Sequence, residues 1–198
     1  MAERMAWLAE LEPELKAAYQ TPGRAYHNWD HIIYLLAEFQ RLAAAWRRPE
    51  AVLTAIYWHD VIYAPTSATN EADSAALMKN RLDGKASPDL IADAEALILA
   101  TASHDVPAGM RADLAADCAL FLDIDMSILG APPDAFDAYD DAIRQEFSII
   151  PDEIYRPRRA GVLAEFLARE RLFLTERYHS SHDAQARANL TRAINRLS

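Results

Sequence analysis

Residues 26–31 read YHNWDH and place two histidines four positions apart. On a helix, positions i and i+4 lie on the same face, so His27 and His31 can reach a single site. There, one imidazole can ligate a metal ion while the other transfers a proton. The alternative is an N-terminal helix cap formed by Asn28, with both histidines incidental to it.

Two further segments place charged residues inside apolar runs. Residues 58–63 read WHDVIY, and residues 122–127 read LDIDMS. A buried carboxylate is costly unless it is paired or ligated, and imidazole nitrogen with carboxylate oxygen suits Zn, Mn, Fe, Co or Ni. The alternatives are His59 at a helix C-terminus, where it interacts with the helix dipole, and Asp123 or Asp125 as the cap of a short following helix.

The order of these segments is more specific than any one of them. His31, the doublet His59-Asp60, and an aspartate near residue 125 form an H…HD…D pattern across about a hundred residues. The three segments fall on different predicted helices. Helix bundles commonly hold a metal ion in the core between such helices, so we expect these side chains to meet.

The elements that must position them are all predicted to be helical. Apolar residues recur at helical spacing, β-branched alternation is absent, and Pro, Gly, Asp and Ser punctuate the chain. We therefore predict an all-α protein with a single domain over residues 1–198. The predicted helices cover about residues 3–19, 28–46, 49–63, 70–83, 88–102, 112–122, 134–147, 151–169 and 175–196, with a short piece at 126–129.

Composition restricts the classes of function. The net charge of -10 argues against general nucleic-acid binding, which needs clustered Lys and Arg, but a divalent cation still permits a phosphorylated substrate. No apolar run is long enough to span a membrane and no signal peptide is visible, so we expect a cytoplasmic protein. The single cysteine, Cys118, excludes an internal disulfide and is expected to pack in the core.

At these segments the sequence resembles the HD superfamily of metal-dependent phosphohydrolases, and most closely the small bacterial proteins predicted to be such enzymes. The resemblance is carried by YHNWDHI, WHDVIY, NEADSA, DIDMSILGAP and YRPRRAGVL. It implies a compact HD-domain helical bundle and a divalent metal ion held by His31, His59, Asp60 and Asp125. Asp125 is preferred to Asp123 because DMS resembles the Asp-Leu-Ser stretch of cyclic nucleotide phosphodiesterases.

The first segment also resembles the HN-x-x-H motif of those phosphodiesterases. Their first histidine is a general acid, and its position here is His27. They carry a further histidine four residues after the first residue of the doublet, where this chain has Tyr63. A tightly held second metal ion is therefore not expected, and His104 is the one extra ligand that the sequence offers.

The resemblance implies hydrolysis of a phosphoester, and we expect a nucleotide or a related small metabolite as the substrate. Glu71 is the expected general base or water-orienting residue, although an acid-rich helix start explains it equally well. Asp60 is expected to orient the water as well as to bind the metal ion. Arg159, Arg24 and His104 are the expected substrate contacts. Arg159, with its neighbours Arg156 and Arg158, is equally consistent with solvated arginines on a helix face.

Two other functions fit the same residues. One is a di-iron oxygenase on the HD fold, and the other is a non-catalytic protein that binds a metal ion or a nucleotide. The metal, expected among Mn, Zn, Fe, Co, Ni and Mg, is not selected by the sequence. We expect a small phosphorylated molecule as the partner, neither nucleic acid nor membrane, and a homodimer through the first or last helix. His179 and His182 match no HD position and are read as surface or capping residues.

Overall fold

Every regular element that the structure describes is helical. A computed structural model describes residues 5–197, and no strand occurs among them. The predicted all-α class is therefore confirmed, while the predicted start of the first helix at residue 3 lies outside the described residues. In the described part of the chain, no helix combines the length and the apolarity needed to cross a membrane. The α-helices are α1 (Ala6–Tyr19), α2 (Trp29–Arg41), α3 (Pro49–Trp58), α4 (Asn70–Leu82), α5 (Pro88–Ala100), α6 (Ala112–Asp125), α7 (Pro133–Glu146), α8 (Asp152–Ala168) and α9 (Glu176–Leu197), with a 3-10 helix at Met126–Gly130.

Backbone contacts divide the chain into two units, Met1–Leu122 and Asp123–Ser198. In the first unit, α3 packs against α2, α4 and α5, and α4 also packs against α5. In the second unit, α9 packs against α7, α8 and the 3-10 helix. The boundary falls in the last turn of α6, which continues unbroken through it. The single domain over residues 1–198 stays a prediction.

α2 ends five residues earlier than predicted because the chain folds back on it. Its buried stripe includes Ile32, Leu35 and Phe39. The indole of Trp46 stacks on the Phe39 ring at 5.5 Å, and its N–H donates to the Phe39 carbonyl at 2.9 Å. A continued helix would give that carbonyl to the amide of residue 43. Burial of an aromatic side chain therefore ends the helix at Arg41.

α3 also ends early, and the prediction that it reaches residue 63 is wrong. The last helical residue is Trp58. The hydroxyl of Tyr19 donates to the Tyr57 carbonyl at 3.1 Å, and a continued helix would pair that carbonyl with the amide of residue 61. The doublet His59-Asp60 consequently lies in the turn that follows α3, and not on the face of a helix.

α6 runs three residues further than predicted. Leu122 and Ile124 are both almost fully buried, so the apolar pattern continues beyond the expected end at residue 122 and brings Asp125 into the last turn. The predicted core position of Cys118 is confirmed, since its side chain is buried. Burial raises the pKa of the Cys118 thiol to about 12, so the thiol stays protonated at neutral pH.

Two glycines of the second unit provide a matched test of its packing. A Cβ atom added at Gly130 would lie 2.6 Å from the Cβ of His182, whereas one at Gly161 in α8 would meet nothing within 4 Å. We expect Gly130→Ala to lower the free energy of unfolding by about 2 kcal/mol through overpacking. We expect Gly161→Ala to raise it by up to about 1 kcal/mol through helix propensity. Urea denaturation of both variants measures the difference, and equal shifts would contradict the packing of α9 described here.

Candidate metal centre

Three side chains from the predicted set come together. His31, His59 and Asp125 each offer one ligand atom, and these atoms all lie within 4.8 Å of one another. Asp125 is carried there by α6. Phe121 lies one turn earlier on the same face of that helix, and its ring meets the His59 ring edge-on with centroids 5.9 Å apart. Such a group of His and Asp side chains is suited to hold a metal ion.

His31 is set by the N-terminus of α2. The side chain of Asn28 accepts hydrogen bonds from the backbone amides of Asp30 at 2.8 Å and His31 at 3.3 Å. The Asn28 amide group donates in turn to the Ala25 carbonyl at 2.9 Å. The predicted cap at Asn28 is therefore confirmed, and it fixes the first turn from which His31 projects. His31 is 6% exposed, and its ring centroid lies 5.5 Å from that of His59.

The orientation of His59 is fixed by the helix that precedes it. Its Nδ1 lies 3.1 Å from the Ile56 carbonyl, and a carbonyl oxygen only accepts, so the proton is on Nδ1. In the neutral imidazole, Nε2 then carries the lone pair. This tautomer, held by a backbone carbonyl, is the usual arrangement of a histidine that ligates a metal ion.

The Nε2 atom of His59 faces a carboxylate. It lies 3.1 Å from Oδ2 of Asp60, and His59 is 1% exposed. A nitrogen that carries a lone pair and a carboxylate oxygen repel each other unless a proton or a cation lies between them. Ligand bonds of about 2.0–2.2 Å allow both atoms to reach the same ion. The residues present therefore fit the divalent metal that the resemblance implies, although Asp60 is not a member of the three-residue group.

The turn that carries the doublet is tied to the start of α4. Asn70 accepts from the Ala64 amide and donates to the Ala64 carbonyl, both at 3.0 Å. The Ser74 hydroxyl accepts from the Ile62 amide at 3.0 Å and donates to the Ile62 carbonyl at 3.2 Å. The sequence does not predict either residue as a positioning residue, because the segment NEADSA indicates there only an acid-rich start of a helix. The available signal was the pair of polar residues at the start of α4, Asn70 and, one turn later, Ser74.

His27 lies outside α2, so its expected place on the same helical face as His31 is wrong. It precedes the capping residue Asn28, and the chain there is not helical because Asn28 is extended. The two histidines remain close, with ring centroids 6.4 Å apart. The His27 ring stacks on Tyr63, with centroids 4.2 Å apart. His27 is half-buried and lies close to one member of the three-residue group, His31.

The two aspartates of residues 122–127 have different surroundings. The Asp123 carboxylate accepts hydrogen bonds from the amides of Leu174 at 2.6 Å and Thr175 at 2.7 Å, and from the Thr175 hydroxyl. It therefore holds the segment that leads into α9. Burial raises the pKa of Asp123 above its usual range, against these hydrogen bonds, which lower it. Asp125 is the member of the pair that joins His31 and His59.

The two arginines expected to bind phosphate donate to protein acceptors. Arg24 donates to backbone carbonyls, among them that of Asp60 at 2.7 Å. Arg159 pairs with Asp140 at 3.0 Å and also donates to the hydroxyl of Tyr139 at 3.3 Å. Both guanidinium groups thus stabilise the fold in this structure, and their role toward a substrate stays a prediction.

Four other sequence-predicted residues lie outside the three-residue group. Glu71 is the second residue of α4, where the helix dipole favours an acid. His104 follows α5 in a left-handed conformation with φ 53°, which is uncommon for a residue other than Gly or Asn. His179 pairs with Asp183 at 3.4 Å, and the His182 ring packs on Tyr178.

Comparison of the chain with protein-family models, with curated proteins and with solved structures finds no match.

The two aspartates of α6 can be separated by their variants. We expect Asp123→Ala to lower the free energy of unfolding by about 3 kcal/mol, because it leaves the part-buried amides of Leu174 and Thr175 without an acceptor. We expect Asp125→Ala to abolish binding of one divalent ion per chain, because it removes the carboxylate of the three-residue group. Urea denaturation and titration calorimetry with Zn²⁺ measure the two effects. If Asp123→Ala loses metal binding and Asp125→Ala keeps it, the assignment of Asp125 as the ligand would be wrong.

Proposed function

We propose that this protein is a metal-dependent phosphohydrolase of the HD type that cleaves a phosphoester of a nucleotide or a related small metabolite. The observation that carries the proposal is the contact between Nε2 of the buried His59 and Oδ2 of the half-buried Asp60, 3.1 Å apart, with Nδ1 of His59 engaged by the Ile56 carbonyl. His31, His59, Asp60 and Asp125 would hold a divalent cation. Such a cation, when bound, lowers the pKa of water and polarises a phosphoryl oxygen.

The chain's own residues prepare the site for this chemistry. The Ile56 carbonyl keeps the proton of His59 on Nδ1, and the cap at Asn28 fixes the turn that presents His31. The low exposure of His31 and His59 keeps bulk water away from their nitrogens. Ligands that are held rigidly before a substrate arrives need little reorganisation during the reaction.

Hydrolysis also requires a proton at the leaving oxygen. Water attacks phosphorus, the ester P–O bond breaks, and the released oxygen takes up a proton. His27 is the candidate proton donor, because it is half-buried, stacks on Tyr63 and lies near His31. The ring centroids of His27 and His31 are 6.4 Å apart. Glu71 is retained as the candidate base on the strength of the sequence alone.

Replacement of His27 tests the division between metal binding and proton transfer. We expect His27→Gln to keep about one divalent ion per chain and to lower kcat by about 100-fold or more, because a general acid contributes on that scale. His59→Gln is expected to lose both the ion and the activity. His179→Gln, a histidine outside the group, is the matched control and should keep both. Elemental analysis and phosphate release from nucleotides and a generic aryl phosphate measure these outcomes.

The rival functions predict different results from the same preparations. A bound ion with no turnover of any phosphoester would overturn the hydrolase proposal in favour of a non-catalytic metal- or nucleotide-binding protein. A coloured, iron-rich protein would favour the di-iron oxygenase. Full activity of His27→Gln would remove the proposed role of that residue.

A further inference from the structure

We infer that Arg24 is a positioning residue that fastens the segment carrying His27 to the turn carrying His59 and Asp60. The inference rests on the proposed function only in taking these two segments as parts of one metal site. The contacts themselves lie within the first unit. They give Arg24 the role of a structural link between two functional segments, beside its predicted contact with the substrate.

The guanidinium group of Arg24 reaches three backbone carbonyls at once. Nη1 donates to the His27 carbonyl at 3.0 Å and to the Asp60 carbonyl at 2.7 Å. Nη2 donates to the Val61 carbonyl at 2.8 Å. Nε donates to the hydroxyl of Thr21 at 3.1 Å, which fixes the near end of the side chain. A single side chain therefore joins residues that are more than thirty positions apart.

The carbonyls of Asp60 and Val61 need such a donor because they lie beyond the end of α3. Backbone groups past a helix end lose their intrahelical partners. Arg24 supplies donors to these carbonyls, while the Asp60 amide donates to the Tyr19 hydroxyl at 3.2 Å. The backbone of Asp60 is thus held at its N–H by Tyr19 and at its C=O by Arg24. This fixes the residue whose carboxylate faces His59.

The geometry requires arginine and not only a positive charge. Its planar fork presents several N–H donors in fixed directions, whereas a lysine has one compact ammonium group. The guanidinium also lies 5.2 Å from the Tyr19 ring centroid and 5.5 Å from that of Tyr63. Because Tyr63 stacks on His27, displacement of Arg24 would also disturb that contact.

Hydrogen–deuterium exchange of the full chain without metal tests this link directly. We compare Arg24→Lys and Arg24→Ala with Arg81→Ala, an exposed arginine that pairs with Glu14 on another helix. We expect exchange to rise together in residues 26–31 and 59–63 of both Arg24 variants and to stay unchanged there in Arg81→Ala. The conservative Arg24→Lys variant keeps the test decisive if Arg24→Ala does not fold. Unchanged exchange, or a rise confined to residues around Arg24, would overturn the inference.

Cobalt binding then distinguishes a role of Arg24 in positioning the metal site from a contribution to the stability of the fold alone. We expect both Arg24 variants to bind Co²⁺ at least 10-fold more weakly than the unsubstituted chain, with an altered visible absorption spectrum, while Arg81→Ala matches that chain. Unchanged affinity and spectrum in the Arg24 variants would overturn the positioning role, even if thermal stability falls. If the unsubstituted chain binds no cobalt, the proposed function fails, and the exchange measurement alone decides whether Arg24 links the segments.

Discussion

The contact between Nε2 of His59 and Oδ2 of Asp60 is the constraint on which the first unit's functional residues depend. An imidazole that is 1% exposed and a carboxylate 3.1 Å away destabilise the fold unless a proton or a cation links them. Keeping them in this position requires the Ile56 carbonyl at Nδ1 and an early end to α3. It also requires Tyr19 at the backbone of Asp60.

Several buried aspartates serve the backbone, which explains why the sequence left more than one ligand assignment open. Asp117 accepts from the amides of Arg47 and Arg48 at the start of α3, at 3.0 and 2.6 Å. Asp123 accepts from Leu174 and Thr175 in the same manner. Burial raises the pKa of both carboxyl groups, whereas the hydrogen bonds that they accept lower it. Burial of a carboxylate therefore does not by itself distinguish a helix cap from a metal ligand in this chain.

Local patterns predicted the helical class and most of the helices, but not where the site's helices end. The cap at Asn28 is encoded by neighbours two and three residues away, so the sequence reveals it. The end of α3 depends on Tyr19, 38 positions before the carbonyl that it binds, and the end of α2 depends on the return of Trp46. Each of these contacts joins a helix to a residue outside it, and hydrophobic periodicity within a helix carries no information about such contacts.

The same distinction applies to the functional residues. Short motifs indicate His31 and His59 as candidate ligands, since each histidine has an aspartate next to it in the sequence. The sequence predicts Arg24 as a substrate contact and not as a link between segments, because its backbone acceptors at Asp60 and Val61 cannot be read from the sequence. Residues that position a site through backbone contacts leave little trace in a single sequence.

The most direct test of the central claim is an anomalous difference map from a crystal of the full chain grown with Zn²⁺. We expect one strong peak per chain at ligand distance, about 2.0–2.2 Å, from Nε2 of His59, with His31 and Asp125 among the other ligands. The absence of a peak at saturating metal would contradict the proposed metal site. A peak held only by other residues, such as His179 and His182, would contradict it equally.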